Sequence, residues 1–117
     1  MEYDLLFEIV EPRDYTIRLY KDRWEEHIIS PAHHPEMASY LSEVREVIEN
    51  PDYIQQSNTS DDTELYYKLG AAKGKYKHLY VVVVVRFPRR DHGYVRTAYL
   101  MPSPRKGGDI VWIKPRL

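Results

Sequence analysis

The chain has 117 residues, 43% of them hydrophobic, and a net charge of −1, the size and composition of one compact domain with a real core. Cysteine is absent, which excludes disulfides, thiolate metal sites and a cysteine nucleophile. No apolar run reaches the roughly 18 residues of a membrane span, and the acidic start Met1-Glu2-Tyr3-Asp4 lacks the basic and apolar regions of a secretory signal, so a soluble, cytoplasmic protein with no membrane partner is expected.

Tyr3 to Val10 and Tyr15 to Tyr20 are rich in aromatic and β-branched residues and read as two short strands, with Glu11-Pro12-Arg13-Asp14 turning between them. Asp22-Arg23-Trp24-Glu25 has a helix-starting pattern that places Trp24 and Ile28 on one face. This short helix stops at Ser30-Pro31, because a proline disfavours helical geometry in the residue before it. His33-His34-Pro35-Glu36 opens a second helix, in which Met37, Tyr40, Leu41, Val44 and Ile48 recur at helical spacing up to Asn50-Pro51.

Beyond Pro51 the period becomes strand-like. Asp52 to Gln56, Glu64 to Leu69, His78 to Phe87, Gly93 to Met101 and Ile110 to Ile113 are β-rich, and Ser57 to Asp62 and Ala71 to Lys75 read as mobile loops. Five consecutive valines, Val81 to Val85, suit a central strand buried on both faces. Pro88-Arg89-Arg90-Asp91-His92-Gly93 is a polar turn that brings the next strand back antiparallel. The predicted fold class is α+β, with one or two N-terminal helices packed on a four- to five-stranded antiparallel sheet in a single domain.

The near-neutral net charge hides a split. Residues 1–65 carry 5 Lys and Arg against 16 Asp and Glu, residues 66–117 carry 12 against 2, and the halves stand at −11 and +10. A Tyr-rich sheet with that excess can attract a polyanion, since lysine and arginine neutralise phosphates and release condensed counterions. The plain alternative is that the basic strands pair with the acidic helices of the same domain.

Three constellations could carry chemistry. His27 and His34, with His33 beside the latter, flank a helix junction, where two imidazoles can serve as acid and base near neutral pH. Their spacing of seven is not that of a zinc protease pair and no third ligand is evident, so neither a metal nor another cofactor is expected. In structural terms His34 would cap a helix and His27 would pack near Trp24.

Tyr66-Tyr67-Lys68 and Arg96-Thr97-Ala98-Tyr99 form the second set. Side chains alternate along a strand, so Thr97 and Tyr99 share a face and Tyr66 and Lys68 share one opposite Tyr67. Hydroxyls beside a cation are what metal-free RNA cleavage requires, and aromatic rings stack unpaired bases. As ordinary β-formers with snorkelling cations they need no function at all. The third set, Arg105-Lys106-Gly107-Gly108, is a hairpin turn whose amides could contact a phosphate, without the spacing of a P-loop.

Taken in order, Arg23-Trp24-x-x-His27-Ile28, His34-Pro35-Glu36, Ile48-x-x-Pro51-Asp52-x-Ile54, Tyr66-Tyr67-Lys68, the valine strand and Thr97-Ala98-Tyr99 resemble the phage-associated barnase/EndoU/colicin/RelE-like nuclease domains, over about residues 15–113. That resemblance implies helices followed by an antiparallel sheet and a metal-independent ribonuclease of toxin type. It makes His27 and His34 the acid/base candidates and puts Lys68, Arg96 or Thr97 near the scissile phosphate. Arg23, Tyr67, Tyr99 and Lys106 are the candidate substrate contacts. RNA is then the expected partner, with an antitoxin or immunity protein holding the toxin inactive. The rival expectation is a catalytically inactive module of the same fold that binds RNA or protein.

Overall fold

The computed structural model describes residues 4–115. Among them seven strands are joined in one sheet: β1 (Leu5–Val10), β2 (Thr16–Tyr20), β3 (Tyr53–Gln56), β4 (Thr63–Leu69), β5 (Tyr80–Arg89), β6 (His92–Met101) and β7 (Ile110–Ile113). Their spatial order is β1-β2-β6-β5-β4-β3-β7. Tyr3, expected in the first strand, lies outside the described residues.

The expectation of a four- to five-stranded antiparallel sheet behind N-terminal helices is overturned. The N-terminal β1–β2 hairpin, too small to be stable alone, extends the sheet by laying Thr16, Ile17 and Arg18 parallel to His92, Gly93 and Tyr94 of β6. The sheet is therefore mixed and seven-stranded among the described residues, and the main helical segments sit between β2 and β3, with a further 3₁₀ turn, Gly74–Tyr76, between β4 and β5. Close approach at this junction depends on Gly93: a Cβ there would stand 2.6 Å from Val85 Cγ1 and 3.0 Å from Ile17 Cδ1.

The helical region is also more broken than its periodicity predicts. Arg23–Ile28 forms a π-helical turn in which the Ile29 amide donates to the Trp24 carbonyl at 2.9 Å, and Asp22 makes no side-chain cap. Pro35–Ser39 is a 3₁₀ turn, and the one α-helix among the described residues, α1, spans Leu41–Glu49. The two are separated at Tyr40, where Lys73 takes over: its Nζ donates to the Ser39 carbonyl and its amide to the Tyr40 hydroxyl. Met37, Tyr40, Val44, Val47 and Ile48 are buried, as an amphipathic pattern demands.

These segments cover one face of the sheet. Ile17, Leu19, Ile28, Val44, Ile48, Ile54, Tyr66, Val81, Val83 and Ala98 form the main core there. The valine strand lies in the middle of the sheet, and its even-numbered side chains supply the opposite face. On that face Leu65, Tyr67 and Val82 make a second, smaller core, with Tyr53, Tyr80, Val84, Tyr99 and Met101 packed around it. No helix among the described residues is long and apolar enough to cross a membrane.

A candidate cationic cleft on the helix-free face

Strand register decides which of the singled-out residues meet. Tyr67 pairs with Val82, which pairs with Tyr99, and Leu65 pairs with Val84, which pairs with Thr97. All six point to the helix-free face. A register irregularity between Val84 and Val85 adds one residue to β6 at this level, and the exposed Arg96 stands at the irregularity.

The floor made by Leu65, Val84, Thr97 and Tyr99 is walled by two segments. One is the loop after β3, where the Gln56 side-chain amide donates to the carbonyls of Ser60, Asp61 and Thr63 at 3.1, 3.2 and 3.0 Å. Ser57 to Asp62 is thus tied to its own backbone where the sequence suggests mobility. The other wall is the chain leading into β7. Its Arg105 amide donates to the Tyr67 hydroxyl at 3.2 Å, and its Arg105 and Gly108 carbonyls each accept from the Gln55 amide at 3.1 Å. Gly107 has φ 97°, and a Cβ on Gly108 would lie 1.8 Å from the Gln56 carbonyl oxygen, so this wall needs both glycines.

Between the walls lies a cleft of about 330 Å³. Arg96, Arg105 and Lys106 line it together with the hydroxyls and amides of Ser57, Asn58, Thr59, Thr97 and Gln55. No Asp or Glu is among its lining residues, and the three cations make no ion pair among the described residues. Arg105 instead places its guanidinium 5.9 Å from the centre of the Tyr99 ring. Beneath the cleft, burial raises the Tyr67 hydroxyl pKa against the opposing effect of the Arg105 amide, and the protonated hydroxyl donates to Gln55 Oε1 at 3.0 Å.

The expected site residues divide accordingly. Arg96, Thr97, Tyr99 and Lys106 come together in the cleft, and Tyr67 supports it from below. His34 occupies the N-cap position of the 3₁₀ turn but makes no side-chain cap bond there. Its ring lies 5.4 Å from that of Tyr99, and its Nδ1 faces Glu36 Oε1 at 3.3 Å. His27 is exposed, with its ring 6.4 Å from His33, and is not among the residues that line the cleft. Lys68 is on the helix-covered face, where it pairs with Val81 in register, donates to the Asn50 carbonyl at 2.9 Å and stands 3.9 Å from Asp52. Arg23 lines a neighbouring recess with Arg86, Tyr94 and Arg96.

The charge split is therefore partly internal. Lys68, Lys73 and Arg86 of the basic half pair with Asp52, Glu43 and Asp62 of the acidic half, whereas the cleft cations do not. Gln55, Ser57, Asn58 and Thr59 were not foreseen as lining residues. Their only signal is a polar strand end and loop, which registers as a site only once β7 is known to fold back beside β3. Among the described residues, no group of three or more His, Asp and Glu side chains is placed to hold a metal ion. Comparison of the chain with family models, with curated proteins and with solved structures finds no significant match.

Proposed function

We propose that the chain is an RNA-binding protein of the cytoplasm that takes a phosphate and its base into the cleft on the helix-free face. The observation that carries this reading is the lining: three unpaired cations, no carboxylate, and an aromatic ring beside them. A cation that already has a carboxylate gives little to a ligand, while an unpaired arginine offers a planar fork of donors matched to phosphate oxygens. Tyr99 supplies a surface on which a base can stack without sequence preference, and the amides and hydroxyls around it can accept or donate to base edges.

The experiment is fluorescence anisotropy of fluorescein-labelled hexauridylate over a range of salt. Binding should weaken as salt rises, and Arg105→Ala or Lys106→Ala should each lower affinity and reduce the slope of log K against log salt by about 0.7, the share of one phosphate contact on a single strand. Affinity and slope that match wild type in both variants would refute the cleft as the site.

A second reading, RNA cleavage of toxin type, rests on His34. An imidazole beside Tyr99 and oriented by Glu36 has the makings of a general base at the cleft rim, with Arg96 and Thr97 available to a phosphate. An antitoxin or immunity protein would then inhibit by laying carboxylates into the same cleft. Incubation of RNA with the protein in EDTA separates the two: products that vanish in His34→Ala favour cleavage, and intact RNA at high protein concentration favours binding alone.

A further inference from the structure

Arg96 belongs to two recesses at once. On one side it lines the cleft just described, and on the other it lines a hollow of about 390 Å³ with Arg23, Arg86, Pro88, Tyr94 and Val95. Arg23 enters from the π-helical turn beside β6, while Arg86 and Tyr94 are register partners on β5 and β6. Among the described residues no carboxylate lines this second hollow. Arg86 is held in place by Asp62 at 3.0 Å, and Arg23 and Arg96 make no ion pair among the described residues. Tyr94 is stacked on Tyr20 with ring centres 6.0 Å apart, and a further recess beside that pair carries Asp22 beyond Arg23.

We infer that the second hollow is an adjoining nucleotide subsite, so that the ligand is a single-stranded oligonucleotide that crosses Arg96 rather than one nucleotide confined to the cleft. This inference rests on the RNA-binding reading of the cleft. A phosphodiester above Arg96 is shared by the two hollows, one nucleotide turns its base toward Tyr99 and the next toward the Tyr94–Tyr20 stack, and Arg23 neutralises the following phosphate while Arg86 stays with Asp62. Aromatic platforms alternating with cations along one groove are what a flexible strand with splayed bases uses. A paired duplex keeps its bases stacked on each other and has none to offer to either tyrosine. Asp22 limits the track, because its charge repels a backbone that continues past Arg23.

The test compares labelled hexauridylate binding by wild type, Arg105→Ala and Arg23→Ala, each checked for an unchanged melting transition. Arg23→Gln, which retains most of the aliphatic stem, carries the comparison if alanine loosens the helical turn. The expected result is a loss of fivefold or more in affinity for both sites, with Arg23→Ala lowering the salt slope by about 0.7. A labelled twelve-base-pair G·C-rich RNA duplex should bind at least tenfold more weakly than the single strand. Loss at Arg105 with wild-type affinity and slope at Arg23 would overturn the second subsite and leave the cleft standing. Wild-type affinity at Arg105 would overturn the cleft itself, and the inference with it.

Discussion

The hydroxyl of Tyr67 donates to Gln55 Oε1 at 3.0 Å and accepts the backbone amide of Arg105 at 3.2 Å, so one buried phenol joins strand β3 to the wall that carries Arg105 and Lys106. Gln55 completes the tie by donating to the Arg105 and Gly108 carbonyls. Tyr67→Phe removes one donor and one acceptor from a buried network and strands Gln55 Oε1. The expected cost is about 1–3 kcal/mol, the range for a buried polar group left unsatisfied. Because the loss falls on the wall of the cleft, hexauridylate affinity should drop along with the urea midpoint, whereas Tyr80→Phe on the same face should lower neither by as much. Tyr67→Phe with wild-type RNA affinity would separate the wall from the ligand.

A second network lies on the helix-covered face and has no part in the cleft. The Glu11 side chain is fully buried and accepts from Tyr66 Oη at 2.9 Å, from Arg13 Nε at 2.9 Å and from the Arg13 amide at 2.6 Å. Arg13 in turn reaches Glu64 Oε1 at 2.6 Å. Burial pushes the Tyr66 hydroxyl far up, and burial opposes the Arg13 charge less than its bonds to Glu64 and Glu11 support it, so the phenol stays protonated and the guanidinium charged. Glu11→Ala leaves the Tyr66 hydroxyl without its acceptor and removes one of two carboxylates from Arg13. A loss of about 3–5 kcal/mol follows from breaking a buried ion pair on one side, measurable by urea unfolding, against about 1.5–3 kcal/mol for Tyr66→Phe, which removes one hydrogen bond to a charged group. Equal costs for the two substitutions would show that the carboxylate is not what holds the turn.

Acid should weaken the loop that walls the cleft. Asp62 is held down to about 2 by hydrogen bonds from Ser60, Arg86 and Thr63, while an unfolded aspartate titrates near about 3.9. The folded state therefore binds this proton less readily than the unfolded state. Its contribution to stability is complete above the unfolded value and is lost as pH falls toward about 2. Urea midpoints should decline between about pH 4 and pH 2, and Asp62→Asn should flatten that part of the decline. A decline of unchanged steepness in the variant would assign the acid sensitivity elsewhere.

Much of the fold could be read from the residues, and the part that could not has a physical cause. Every strand is where β-branched and aromatic residues cluster between turn residues, because that preference acts within a few residues. What escaped is the pairing of β2 with β6, a parallel contact between Thr16–Arg18 and His92–Tyr94 that no local signal encodes and that a single glycine, Gly93, permits. The break at Tyr40 escaped for a similar reason, since Lys73, far along the chain, takes the Ser39 carbonyl. In the site, alternation along β6 placed Thr97 and Tyr99 on a common face, and the cleft bears that out. The same alternation sets Tyr66 and Lys68 opposite Tyr67, and the register agrees, so that Tyr67 lies under the cleft and Lys68 on the helix-covered face.

His34 and His27 looked equivalent in the sequence and are not so in space. The His34 ring packs 5.4 Å from Tyr99 with Glu36 at its Nδ1, while His27 faces His33 on the exposed turn. A base stacked on Tyr99 must displace or lie against the His34 imidazole, because that ring already occupies one side of the tyrosine. Addition of hexauridylate should therefore shift the ring-proton resonances of His34 in proton NMR and leave those of His27 in place, and His34→Ala should change RNA affinity where His27→Ala does not. Either result inverted, with His27 shifted and His34 still, would move the ligand off the cleft and onto the helical turn, and the three unpaired cations would then need another explanation.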